Sequence, residues 1–133
     1  MRRQLRERPG LDRIEVYSAG TIATDGNGPL TQTVIAMRED HGIDLSPHRA
    51  RRLNPSLEAD LLLAMDRQVI DEARKIGTKG EVRLIGDFAG SPGEEVADPY
   101  GGSLDDHREC ARQIARLVGQ IAERLERETA TTD

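Results

Sequence analysis

Apolar and polar positions alternate along this chain in short blocks that switch between two periods. The first block, Arg2–Arg8, holds good helix formers but a single large apolar residue, Leu5, so it predicts the last turns of a helix or a basic arm, ended by Pro9-Gly10. Ile14–Ser18 places Ile14 and Val16 on one face and predicts a strand. Asp25-Gly26-Asn27-Gly28-Pro29 is rich in backbone-permissive residues and predicts a loop without any phosphate-loop spacing. Over Leu30–His41 the period is helical, with Leu30, Val34 and Met37 on one side and Gly42 as the stop.

The second half is more regular. Leu61–Met65 is an unbroken apolar run between Asp60 and Asp66, the pattern of a strand buried on both faces of a parallel sheet. Asp66 predicts an N-cap for a helix over Arg67–Ile76, closed by Gly77. Val82–Ile85 predicts another short strand, followed by a loop over Asp87–Ser103. Ser103-Leu104-Asp105-Asp106 has the form of a capping box and opens a helix to about Arg127. Ala111, Ile114, Leu117, Val118, Ile121 and Leu125 form its apolar stripe, and Glu128–Asp133 a frayed tail.

Strand, helix, strand, helix, strand, helix is the alternation of a small doubly wound α/β domain. Ligands in such folds bind beyond the carboxyl ends of the strands. The loops after Ser18, Met65 and Ile85 are therefore expected to lie together. No repeat, linker or second domain interrupts residues 1–133.

Composition narrows the function. The 133 residues carry 19 Lys and Arg against 24 Asp and Glu, a net charge of −5, which argues against a general nucleic-acid binder. No apolar run is long enough to span a membrane, and no secretory leader is visible. One cysteine, Cys110, excludes an internal disulfide and a multi-thiol metal site. Neither metal nor cofactor is implied, and the cytoplasm is the expected compartment. The basic cluster His48-Arg49-Ala50-Arg51-Arg52 suits a solvated face or an anionic ligand.

The candidate chemistry lies in Val96-Ala97-Asp98-Pro99-Tyr100-Gly101-Gly102. Pro99 fixes its own φ and pushes Asp98 towards extended backbone, so the carboxyl group is presented with little rotational freedom. Such a group suits proton donation to a leaving group. The same residues also suit an ordinary surface turn.

With V-Y-S-A-G-T at 16–21, H-G-I-D at 41–44, H-R-A-R-R-L at 48–53, A-D-L-L-L-A-M-D at 59–66 and A-D-P-Y-G-G at 97–102, the chain resembles the low-molecular-weight protein tyrosine phosphatase family. The resemblance implies a four-stranded parallel sheet with helices on both faces, and phosphotyrosine hydrolysis through a phosphocysteine. The family's Cys-x5-Arg-Ser/Thr motif has no counterpart here, so the resemblance implies a single phosphatase-like domain over 1–133 that is incomplete at its N-terminus. The absent parts are the first, central strand and the phosphate loop. By the same resemblance Asp98 matches the general acid and base, and Tyr100 the aromatic wall of the substrate pocket. Ser18 and His48 match residues that brace the phosphate loop from beneath. Gly101 stands where a second tyrosine often follows, which thins the wall.

Cys110 to Arg116 formally satisfies Cys-x5-Arg. That stretch has no glycine or asparagine to curl a loop, and it lies in the helical stripe. Six residues of α-helix turn about 600°, so the two side chains diverge.

Three functions follow for test. The first is a hydrolase acting on a phosphotyrosine protein or a small aryl phosphate, with these 133 residues inactive alone. The second is a non-catalytic pseudo-phosphatase that binds an anion or a partner. The third is an arsenate reductase, disfavoured because it needs further cysteines.

Overall fold

A computed structural model describes residues 1–8 and 10–131, so Pro9 and the last two positions of the expected tail lie outside the described residues. The elements in chain order are α1 (Arg2–Arg6), α2 (Thr31–His41), β1 (Leu61–Ala64), α3 (Arg67–Ile76), β2 (Glu81–Leu84), α4 (Ile85–Ala89) and α5 (Leu104–Thr131).

β1 and β2 form a two-stranded parallel sheet in the register Leu61↔Glu81 to Ala64↔Leu84, with α3 as the crossover. The local signals that set this unit are all satisfied. Asp66 Oδ1 accepts the Val69 N–H at 2.9 Å, capping α3. Gly77 adopts φ 82°, a left-handed stop that costs other residues a steric penalty. At the next junction the expected loop from Asp87 is displaced. Ile85 opens the short helix α4 instead of ending the strand. Ile85, Phe88 and Ala89 fall at i, i+3 and i+4 and pack on Leu117 and Ile121 of α5. A single turn is too short to show a period in sequence.

The expected strand over Ile14–Ser18 does not form. A strand exists only where a neighbour takes up its backbone donors and acceptors, and none lies beside these residues among those described. Ile14 and Tyr17 are exposed, and the Val16 carbonyl accepts from the Arg2 side chain at 2.8 Å. Pairing begins only at Gly20, whose N–H donates to the Arg51 carbonyl (2.9 Å) and whose carbonyl accepts from Leu53 N–H (3.0 Å). Gly26 and Asn27 continue this tie to Ala50, so the glycine-rich loop is fastened to the basic segment.

The core is built on α5. Leu117 and Ile121 are fully buried and join Ile85, Phe88, Ala89 and Val96, with Leu61 and Leu63 of β1 packed against them. A smaller cluster joins Leu5 of α1, Leu11 and Ala122 of α5, which makes residues 2–6 helix rather than arm. β1 is less buried than its composition suggests: Leu61, Leu62 and Leu63 are each half-buried, as expected of a sheet with so few strands. α5 continues through Thr131, past the expected fraying point.

Candidate active site

The segment Glu94–Ser103 connects α4 to α5 and carries the acid. Val96 is buried, and its N–H donates to the Met65 carbonyl at 2.8 Å, which docks the segment at the carboxyl end of β1. Beyond it the backbone emerges into solvent. Asp98 is exposed, and its Oδ1 accepts the Tyr100 N–H at 3.0 Å across Pro99. Aspartate favours this self-closed turn because its short side chain reaches the backbone two residues on. Gly102 N–H then closes on the Pro99 carbonyl at 2.8 Å, with Gly101 at φ 80°. The turn leaves the Tyr100 ring 76% exposed.

The start of α5 fixes the far side of this turn. Asp106 N–H donates to Ser103 Oγ (3.2 Å), and Ser103 N–H donates to Asp106 Oδ2 (2.9 Å), a reciprocal cap with aspartate in the third helical position. Asp106, Glu109, Cys110 and Gln113 follow at i, i+3, i+4 and i+7. This face and the Ala97–Tyr100 turn enclose an open recess of about 330 Å³. Asp98 and Tyr100 therefore share one concavity with three acids in its lining, Asp98, Asp106 and Glu109.

Cys110 lies in the second turn of α5 and half-buried, with its thiol 3.8 Å from the Ala97 carbonyl. Burial first, and the Asp98 charge second, push its pKa above the ordinary thiol value. A nucleophilic thiol needs the opposite shift. Arg116 is not turned to the same anion: its guanidinium pairs with Glu94. Gln113 also holds Glu94, and these two contacts, Gln113 first, keep the Glu94 carboxyl below the usual range.

Ser18 and His48 lie elsewhere. Both are exposed, neither lines the recess, and no hydrogen bond links their side chains to Asp98 or to one another among the described residues. The His48 backbone closes a turn onto Leu45 at 2.9 Å. Sequence reasoning missed Asp106, Glu109 and Gln113. Their helical spacing was legible, but polar residues opposite an apolar stripe look like a solvated face. It also missed His107, 3% exposed, whose Nδ1 lies 3.0 Å from Thr33 Oγ1 of α2. No group of His, Cys, Asp and Glu suited to a metal ion occurs among the described residues, and no described helix is long and apolar enough to cross a membrane.

An acid-bearing turn at the carboxyl end of a parallel strand, in an α/β domain of this order, defines a class. The chain belongs to the low molecular weight phosphotyrosine protein phosphatase family, whose family model matches residues 1–131. It is 34% identical over 123 residues to a probable low molecular weight protein-tyrosine-phosphatase EpsP of Ralstonia nicotianae, covering 89% of this chain and 81% of the relative. It is 30% identical over 132 residues to a protein-arginine-phosphatase of Bacillus subtilis, covering 95% and 85%. In fold it is similar to the YwlE arginine phosphatase from Geobacillus stearothermophilus, with a TM-score of 0.80 at 25% identity, over 96% of this chain and 82% of that one.

Proposed function

We propose that this chain carries the acid-and-base half of a cytoplasmic phosphatase site acting on a phosphotyrosine protein or a small aryl phosphate. The observation that supports it is Asp98, held by its own turn at the rim of a recess beside the exposed Tyr100 ring. As the phosphoryl group passes from the phenolic oxygen to a thiolate that the 133 residues do not supply, the protonated carboxyl donates its proton to that oxygen, and the resulting carboxylate then takes a proton from the water that displaces the thiolate and releases phosphate. Tyr100 offers an aromatic face to the substrate ring.

The nucleophile in this reading is not Cys110, and none of the 133 residues supplies it. The chain by itself is therefore inactive. Purified chain incubated with p-nitrophenyl phosphate should show no turnover above buffer. Turnover that disappears in Cys110→Ser would make Cys110 the nucleophile, and turnover that survives that change would still overturn the inactivity. Joining a relative's first strand and phosphate loop, with its thiolate and arginine, ahead of Arg2 should restore aryl-phosphate hydrolysis. In that fusion Asp98→Asn should slow phosphotyrosine hydrolysis by about 10²–10⁴-fold, and less for phenols that leave without a proton. A loss below about tenfold would remove Asp98 from the role. A folded fusion without activity would favour the non-catalytic binding module.

A second reading has its own observation. Three carboxylates line the recess against one aromatic ring, Tyr100, among its described lining residues, which favours a cationic substrate group over a second ring. The likeness to proteins named arginine phosphatases points the same way. Phosphoarginine assayed beside phosphotyrosine in the fusion separates the two readings.

A further inference from the structure

We propose that Gln113 is a positioning residue that holds the Asp98 turn against α5 through two hydrogen bonds from one side-chain nitrogen. The inference rests on Asp98 being the acid. Gln113 Nε2 donates to Glu94 Oε2 at 2.9 Å and to the Glu95 carbonyl at 2.9 Å. Both protons of the amide are thereby used, one on a side chain and one on the backbone of the segment that leads into Asp98.

The alternatives for holding this segment are fewer than its contact with the core suggests. On the β1 side it is fixed by Val96, through burial and the bond to Met65. That anchor fixes the depth of Val96, and the turn beyond it is closed on itself at Asp98 and Pro99. On the α5 side the Ser103–Asp106 cap holds the far end of the segment, and nearer its entry the ties besides Gln113 are few. The Arg116–Glu94 pair joins a half-exposed guanidinium to a half-buried carboxylate, and the Arg67–Glu95 pair (2.6 Å) is solvent-exposed and comes from α3, so it contributes little and fades with salt. The Cys110 thiol on the Ala97 carbonyl is a weak donor at 3.8 Å. Gln113 is half-buried and bonds the Glu95 backbone as well as the Glu94 carboxylate, so it ties the main chain of the segment where each ion pair ties only a side chain. It also lines the recess beside Cys110, so the residue that holds the turn forms part of the wall the turn closes on.

Cys110 provides the reporter. With the turn docked, the Ala97 carbonyl lies 3.8 Å from the half-buried thiol; an outward swing exposes the thiol further. Gln113→Met keeps the side-chain volume and removes both donors, whereas Gln113→Lys keeps a donor of similar reach. The full 133-residue chain is treated with iodoacetamide at fixed pH, and amide hydrogen exchange at Leu117–Ala122 reports the integrity of α5. Gln113→Met should raise the Cys110 alkylation rate roughly tenfold, the factor expected for losing one to two hydrogen bonds. Gln113→Lys should stay within about threefold of the parent, with α5 protection unchanged in both. The proposal is overturned if Gln113→Met alkylates at the parental rate. It is equally overturned if Gln113→Lys behaves like Gln113→Met, or if the faster rate comes with a matching loss of protection along α5. None of these readouts requires turnover, so failure of the acid assignment in the fusion would be seen separately.

Discussion

The Cys110 thiol faces the Ala97 carbonyl, one residue before Asp98, across 3.8 Å. This places a titratable sulfur next to the acid and lets each report on the other. Burial and the Asp98 charge both favour the neutral thiol. Asp98→Asn should therefore lower the Cys110 pKa, shifting the pH profile of its alkylation to lower pH. An unchanged profile would mean that Asp98 does not face Cys110 in solution.

The same shift has a consequence for stability. A folded state that holds the thiol proton more tightly than the unfolded chain gains stability that is present below the ordinary thiol pKa. That gain is lost as pH rises through the raised pKa. Urea denaturation of the parent and of Cys110→Ser, compared near pH 7 and near pH 10, checks the sign. The difference in stability between the two should move against the parent as pH rises.

Gly86 sets how closely the acid-bearing segment approaches α4. A Cβ placed there would lie 2.2 Å from the Glu94 carbonyl oxygen, a clash with backbone that no rotamer change relieves. Gly86→Ala should destabilise the fold by about 1–3 kcal/mol. It should also push Glu94–Asp98 outward, giving faster alkylation of Cys110. Gly90→Ala, where nothing lies within 4 Å but φ is 90°, should show the strain without the faster alkylation.

Thr33 is the hydrogen-bond partner that α2 offers to the buried His107 of α5, whose Nε2 has none among the described residues. Thr33→Val keeps the shape and strands Nδ1 as well. It should cost about 1–3 kcal/mol in denaturant unfolding, the penalty of a buried polar atom left unmatched. A cost near zero would show that His107 turns to another partner.

Much of the second half was legible because its signals are local. Asp66, Gly77 and the Ser103–Asp106 box each act within four residues, and each sits where the sequence places it. Ile14–Ser18 failed as a strand because strand formation depends on a neighbour, which a pattern of alternating residues does not reveal. α4 was hidden because one turn of helix has no period to detect. At the site, Asp98-Pro99-Tyr100 was visible as a turn. The recess behind it was not, because its wall consists of ordinary polar residues on α5 that matter only once Val96 has been buried beside Met65. Ser18 and His48, matched by resemblance alone, have no part in that recess.

α5 supplies members of both apolar clusters, Leu117 and Ile121 to one and Ala122 to the other, and Glu126 near its end pairs with Arg8 at 2.6 Å. α1 and α4 thus bury apolar surface on residues made after them. On the ribosome, α2 and α4 emerge before the helix they pack against. Productive collapse is deferred until about residue 126 is free. A pulse-labelled nascent chain stalled before Leu117 should remain protease-sensitive throughout, and resistance should appear in one step as Ile121–Glu126 clear the tunnel rather than accumulating strand by strand.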